Sequence, residues 1–125
     1  MTSRRILSRP YAIAGAFLLA ACTSEFDAHL GTPEEAARGA LALHQHGCGT
    51  CHRIAGIAGA DGVVGPPLVD MARRVYLSRG LPNTRDNMMR WIRTPQQFAP
   101  GSAMPDMRVS SADAQAITAY LYQQK

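Results

Sequence analysis

The sequence predicts an all-α domain of about four helices. Three observations carry that prediction. Apolar residues recur at helical spacing in the stretches near residues 36–43 and 116–121. Helix-start signatures stand at Thr32, at Asn83 or Thr84, and at Ser110. No stretch alternates apolar and polar residues as a half-buried strand does, so no β-strand of any length is expected.

The chain of 125 residues has room for one small domain, and its three phenylalanines, four tyrosines and one tryptophan make a thin core at this size. The formal charge of +4 is concentrated at the start of the chain. Without Arg4, Arg5 and Arg9, ten Lys/Arg face nine Asp/Glu, a balance of +1. Binding to nucleic acid is therefore not expected.

Those three arginines form a positive segment ahead of an eleven-residue apolar run from Tyr11 to Ala21, too short to span a bilayer and of the length found in signal peptides. The run ends Leu19-Ala20-Ala21-Cys22, which resembles the bacterial lipobox. That resemblance implies that residues 1–21 are a lipoprotein signal peptide that is removed, and that Cys22 is acylated through its sulfur. The protein would then be periplasmic and lipid-anchored at a membrane face. Residues 22–31 would be the lipidated cysteine and a short linker, whose flexible part reaches about 17 Å.

The domain is expected over residues 32–125. Thr32-Pro33-Glu34-Glu35 reads as an N-cap, a proline at N1 and a capping-box glutamate at N3. The helix should run to about His46 and hand over at Gly47. Ala36, Gly39, Ala40 and Leu43 form its apolar stripe, and Gly39 leaves a gap where another helix can approach. His44 and His46 are expected to face solvent.

Next comes Cys48-Gly49-Thr50-Cys51-His52, a C-x-x-C-H signature for covalent haem attachment. The two cysteines would add to the two vinyl groups on one edge of the porphyrin, which brings the following histidine beneath the iron. A bare C-x-x-C also suits a thioredoxin-like pair or half of a zinc site. The first needs a βαβ context and the second another ligand pair, and the sequence offers neither. One sulfur for lipid and two for one haem c account for all three cysteines, and no structural disulfide is expected.

Val69 to Arg79 reads as a short helix closed by Gly80, with Leu81-Pro82 turning the chain. A further helix, capped by Asn83 or Thr84, should carry Met88, Met89, Trp91 and Ile92 and stop at Pro95. Ser110 and Asp113 open a last helix with Ala116, Ile117, Tyr120 and Leu121 on one face. Tyr120 and Ile117 are expected to pack on Gly39 and Leu43.

From Thr32 onward the chain resembles a class I cytochrome c, a family of small α-helical electron carriers. Beside the haem motif, Gly65-Pro66-Pro67-Leu68 resembles the family's G-P-x-L turn. Thr94-Pro95 through Pro100-Gly101-Ser102-Ala103-Met104 resembles its N-P-x-x-x-x-P-G-T-x-M segment, with Thr94 and Ser102 in place of Asn and Thr. The resemblance implies the cytochrome c fold, helices wrapped around one haem with the first and last crossing. His52 would be the proximal ligand, Pro66 would accept a hydrogen bond from its ring, and Met104 would be the distal ligand. Ser102 would meet a propionate and Trp91 would stand against the haem, while Thr94 cannot fully imitate an amide.

Six methionines make the distal ligand a real choice. Met71, Met88 and Met89 read as packing, whereas Met107 is the serious rival of Met104. The His52/Met104 ligation that the resemblance implies would fill both axial positions, and with no general base or nucleophile apparent for other chemistry a non-enzymatic one-electron carrier is expected. Its partners would be respiratory complexes or periplasmic dehydrogenases and reductases. Two alternatives stay open: a haem subunit of a larger oxidoreductase complex, and a gas-binding or peroxidatic haem protein in which Met104 is not a firm ligand.

Overall fold

The computed structural model describes residues 30–124, so Cys22, the signal segment and most of the linker lie outside the described residues. Helix α1 spans Pro33–Gln45, α2 Arg85–Arg93, α3 Pro95–Phe98 and α4 Ser111–Gln123. Single 3-10 turns at Cys48–Thr50 and Met71–Arg73 and a two-stranded hairpin complete the order. No helix among the described residues is long and apolar enough to cross a membrane.

The helix starts are local chemistry. Thr32 Oγ1 accepts the Glu35 N–H at 3.1 Å, and the Glu35 carboxylate accepts the Thr32 N–H at 3.0 Å, closing the expected capping box. Thr84 caps α2 through the Asn87 N–H and Ser110 caps α4 through the Asp113 N–H. Gly47, with φ +67°, turns the chain out of α1 and into the Cys48–Thr50 turn.

α1 and α4 cross at Gly39. A Cβ there would fall on the Ala116 carbonyl and lie 2.9 Å from Tyr120 Cβ, so the absence of a side chain lets the two helix backbones touch. The expected crossing is present, with Ala116 and Tyr120 as the residues that meet Gly39. Below it lies a core that includes Leu43, Met88, Ile92, Ile117 and Leu121. Each such side chain, fully buried, contributes about 1.5–3 kcal/mol relative to exposure. The one buried polar residue of the described core, Thr118, donates to the Ala114 carbonyl at 2.7 Å.

The segment after Leu68 departs from the expected helix over 69–79. It makes a single turn at Met71–Arg73, then β1 (Tyr76–Ser78) pairs antiparallel with β2 (Leu81–Pro82). The expectation of no strand is thus corrected by a short hairpin. Two side chains take the carbonyls a helix would need. Arg74 Nη2 bonds the Pro67 carbonyl at 2.5 Å and the Val69 carbonyl at 3.3 Å. Asn83 Nδ2 bonds those of Met71 at 2.6 Å and Arg74 at 2.8 Å. Gly80 ends no helix; Arg79 and Gly80, both at positive φ, form the two-residue turn that suits the twist of a hairpin. Asn83 Oδ1 in turn accepts the Tyr122 hydroxyl at 2.6 Å, fastening the hairpin to α4.

His44 is exposed as expected, but His46 is not a free surface histidine. Its Nε2 lies 3.2 Å from Asp113 Oδ2, joining the end of α1 to the start of α4. The His46 contact holds the Asp113 carboxyl below its ordinary value of 3.8. The Thr32 N–H does the same for Glu35, ordinarily at 4.5. Both groups therefore stabilise the fold above those ordinary values, and the contribution is lost as pH falls below them. Thermal melts should decline below about pH 4, and less steeply in a Glu35→Gln/Asp113→Asn double variant. Parallel declines would contradict this assignment.

Candidate haem site

The C-x-x-C-H residues sit where α1 gives way to the 3-10 turn. Gly49 packs so closely on Ala60 that a Cβ there would lie 2.7 Å from the Ala60 Cα. The loop from Gly56 to Gly65 therefore folds back against the motif, helped by the Gly62 N–H to the Gly49 carbonyl at 3.0 Å and the Gly65 N–H to the Cys51 carbonyl at 2.7 Å. Tyr120 pins the residue just before this loop from α4, its hydroxyl donating to the Ala55 carbonyl at 2.6 Å. Cys48 and Cys51 are both half-buried, and neither forms a disulfide.

His52 Nδ1 lies 2.8 Å from the Pro66 carbonyl oxygen. A carbonyl can only accept, so Nδ1 carries the proton and Nε2 presents its lone pair. The partner of that bond is the proline expected from the G-P-x-L turn. Gly65 is part of the same seat, since a Cβ on it would fall on the imidazole ring.

His52 opens on a cavity of about 490 Å3. Leu43, Leu68, Met88, Ile92, Ile117 and Leu121 line it, with Cys48, Cys51 and His52 on one side and Met104 also at its wall. Trp91, Pro66 and Ser102 line it too, so the cavity gathers every expected cofactor residue of the domain. Trp91 is half-buried and tilts against Phe98 at 6.5 Å between ring centroids. Ser102 Oγ accepts the Met104 N–H at 3.2 Å, which leaves its own O–H proton to donate. Thr94 turns away, its hydroxyl donating to the Arg90 carbonyl at 3.1 Å.

Of the methionines read as packing, Met71 and Met88 are buried, but both also face the cavity. Met107 lines it as well. Sequence reasoning missed Arg74, whose half-buried guanidinium lines the same cavity while holding the Pro67 and Val69 carbonyls. An arginine without motif context carries no signal in the sequence. Among the described residues, no three His, Cys, Asp or Glu side chains converge as a metal site, so the second ligand pair of a zinc centre is not found there.

The donor set fits a haem: two thiols at one edge, an imidazole with a fixed tautomer, a thioether, an apolar enclosure, and a cation and hydroxyl for its carboxylates. A mostly helical shell around such a site defines a domain built to hold a haem covalently. The comparison with known families gives the same answer, since the family model described as Cytochrome c matches residues 36–125. The chain belongs to the cytochrome c family and is a class I c-type cytochrome with the cytochrome c fold, carrying covalent haem c. Residues 87 in number align at 32% identity with cytochrome c oxidase subunit 2 of Alkalihalophilus pseudofirmus. That alignment covers 67% of this chain and 24% of the relative, so the chain spans about a quarter of the relative's length. No solved structure matches the chain. The family match identifies residues 36–125 as a haem electron-transfer domain.

Proposed function

We propose that His52 and Met104 are the two axial ligands of a single haem attached at Cys48 and Cys51, and that Cys22 carries a lipid tethering the carrier to a periplasmic membrane face. The observation behind this reading is the bond from His52 Nδ1–H to the Pro66 carbonyl at the wall of a cavity that Met104 also lines. When bound, the haem supplies a one-electron iron couple. The chain's residues decide how that couple behaves. Pro66 orients the imidazole and raises the basicity of Nε2. The Met104 thioether favours the reduced state over the oxidised one. Ser102 and Arg74 supply a donor and a cation for the propionates, and Trp91 closes the apolar wall.

With both axial positions taken by side chains, ligand binding or peroxidatic chemistry is disfavoured. Met104→Ala should therefore let the reduced protein bind CO and should lower its reduction potential, whereas Met107→Leu should do neither. The reverse pattern would transfer the ligand role to Met107. CO binding by the unaltered protein would favour the gas-binding or peroxidatic reading.

The match to an oxidase subunit favours a second reading of the partners. In it the protein is the haem subunit of a respiratory oxidoreductase, permanently held by its catalytic partner. Cys22→Ser in the full-length chain separates these readings. A lipid-tethered free carrier should appear in the soluble fraction after a high-salt wash. Retention on the membrane together with a copurifying oxidoreductase would favour the subunit.

A further inference from the structure

Residues 99–108 form the loop that brings Met104 to the cavity, and its internal bonds are few. The Ser102 N–H bonds the Ala99 carbonyl at 3.0 Å, the Met104 N–H bonds the Ser102 hydroxyl at 3.2 Å, and the Arg108 N–H bonds the Asp106 carboxylate at 2.9 Å. None of these ties the loop to the body of the protein, and the Ala99 N–H, on the Pro95 carbonyl at 3.0 Å, fastens only its first residue. One carboxamide outside the loop does. Gln96 Nε2 donates to the carbonyls of Ser102 at 2.9 Å and Met104 at 2.8 Å, and Gln96 Oε1 accepts the Gly101 N–H at 3.0 Å.

The amide uses both of its N–H groups and its oxygen on three backbone groups of one loop, a set that a single side chain can satisfy only if the loop keeps one shape. Its base is fixed. Gln96 follows Pro95, which is fully buried and opens α3, so the ring locks φ at the first position of that helix. Thr94, standing where the family has an asparagine, bonds back to its own helix instead.

We infer that Gln96 is the positioning residue that seats Met104 and sets it apart from Met107. The inference rests on Met104 being the ligand. Both methionines line the cavity three positions apart, and their thioethers are chemically identical. The backbone that is held decides between them: Gln96 grips the Met104 carbonyl, and among the described residues it makes no bond to the Met107 backbone. Without that grip the loop can lift the Met104 sulfur away or offer the Met107 sulfur in its place.

The test uses the full-length haem-loaded protein. Gln96→Leu keeps the bulk and removes all three bonds. Gln96→Glu keeps an acceptor for Gly101 but loses both donors, so it should behave like the leucine variant. In both, the sulfur-to-iron absorption band should weaken and CO should bind the reduced protein at least about tenfold more tightly, the factor expected when bonds of ordinary net strength stop holding a loop closed. Adding Met107→Leu to Gln96→Leu should weaken the remaining band further, by the share that the Met107 sulfur supplies. Gln97→Ala, a neighbour on the same turn whose side-chain oxygen accepts the Thr94 hydroxyl, should match the parent in CO affinity.

A lower melting temperature with unchanged band and CO affinity would mark Gln96 as merely structural and overturn the inference. A residual band indifferent to Met107→Leu would overturn the discrimination between the methionines. Failure of the underlying ligand reading shows elsewhere, as a band that survives Met104→Ala in the parent with Gln96 intact.

Discussion

Replacing Gly39 by leucine should prevent the domain from folding stably. The first side-chain carbon would already fall on the Ala116 carbonyl, with the Ala116 carbonyl carbon 2.6 Å away and Tyr120 Cβ at 2.9 Å. Two of those three atoms are helix backbone, so no rotamer change relieves the clash. α1 and α4 must separate, and the packing of Leu43, Ile117 and Leu121 beneath the crossing is lost with them. Separation of packed core helices belongs with the rare substitutions that cost more than about 4 kcal/mol, against a typical domain stability of about 5–15 kcal/mol. Gly39→Ala should act in the same direction with a smaller effect. Circular dichroism melts check both, and a leucine variant that melts with the parent would mean the helices do not meet at this residue.

Gly65→Ala should leave the helices in place and damage the haem site. An added methyl would fall on the His52 imidazole, 2.6 Å from Nδ1, while the Gly65 backbone is held to the Cys51 carbonyl at 2.7 Å. The ring must turn, and turning it breaks the bond to the Pro66 carbonyl that fixes its tautomer. Loss of such an orienting partner typically costs 10–100-fold, on the order of one to two decades, in metal affinity or activity. The purified variant should show helical content near that of the parent, a lower haem occupancy and an altered reduction potential. A parent-like potential and full occupancy would contradict the role assigned to this glycine.

These two glycines differ in how far the sequence exposed them. Gly39 stands in an apolar helical stripe, where an absent side chain is itself a packing signal. The helix caps and the C-x-x-C-H run were equally legible, because their chemistry is completed within a few residues. The hairpin was not. Its strands are too short to show alternation, and Arg79-Gly80 reads as a helix end unless Arg74 and Asn83 are known to capture the carbonyls of residues 67–74. The pair of His46 with Asp113 spans 67 positions and follows no periodicity. Within the site, motif spacing pointed to Pro66 and Met104, both at the cavity wall, but not to Arg74 or Gln96, whose hydrogen bonds exist only after the chain has folded. A methionine's facing toward a cavity is likewise a tertiary fact, which is why Met71 and Met88 read as packing alone.

On the proposed ligation, His52 and Met104 together close the iron to outside ligands. The most direct measurement is the optical spectrum of the purified haem protein, oxidised and reduced, with and without CO. Ligation by His52 and Met104 predicts a low-spin spectrum with the weak long-wavelength sulfur-to-iron band in the oxidised state and no change when CO meets the reduced state. A high-spin spectrum, or ready uptake of CO, would contradict it and leave Met104 beside the haem rather than bound to it.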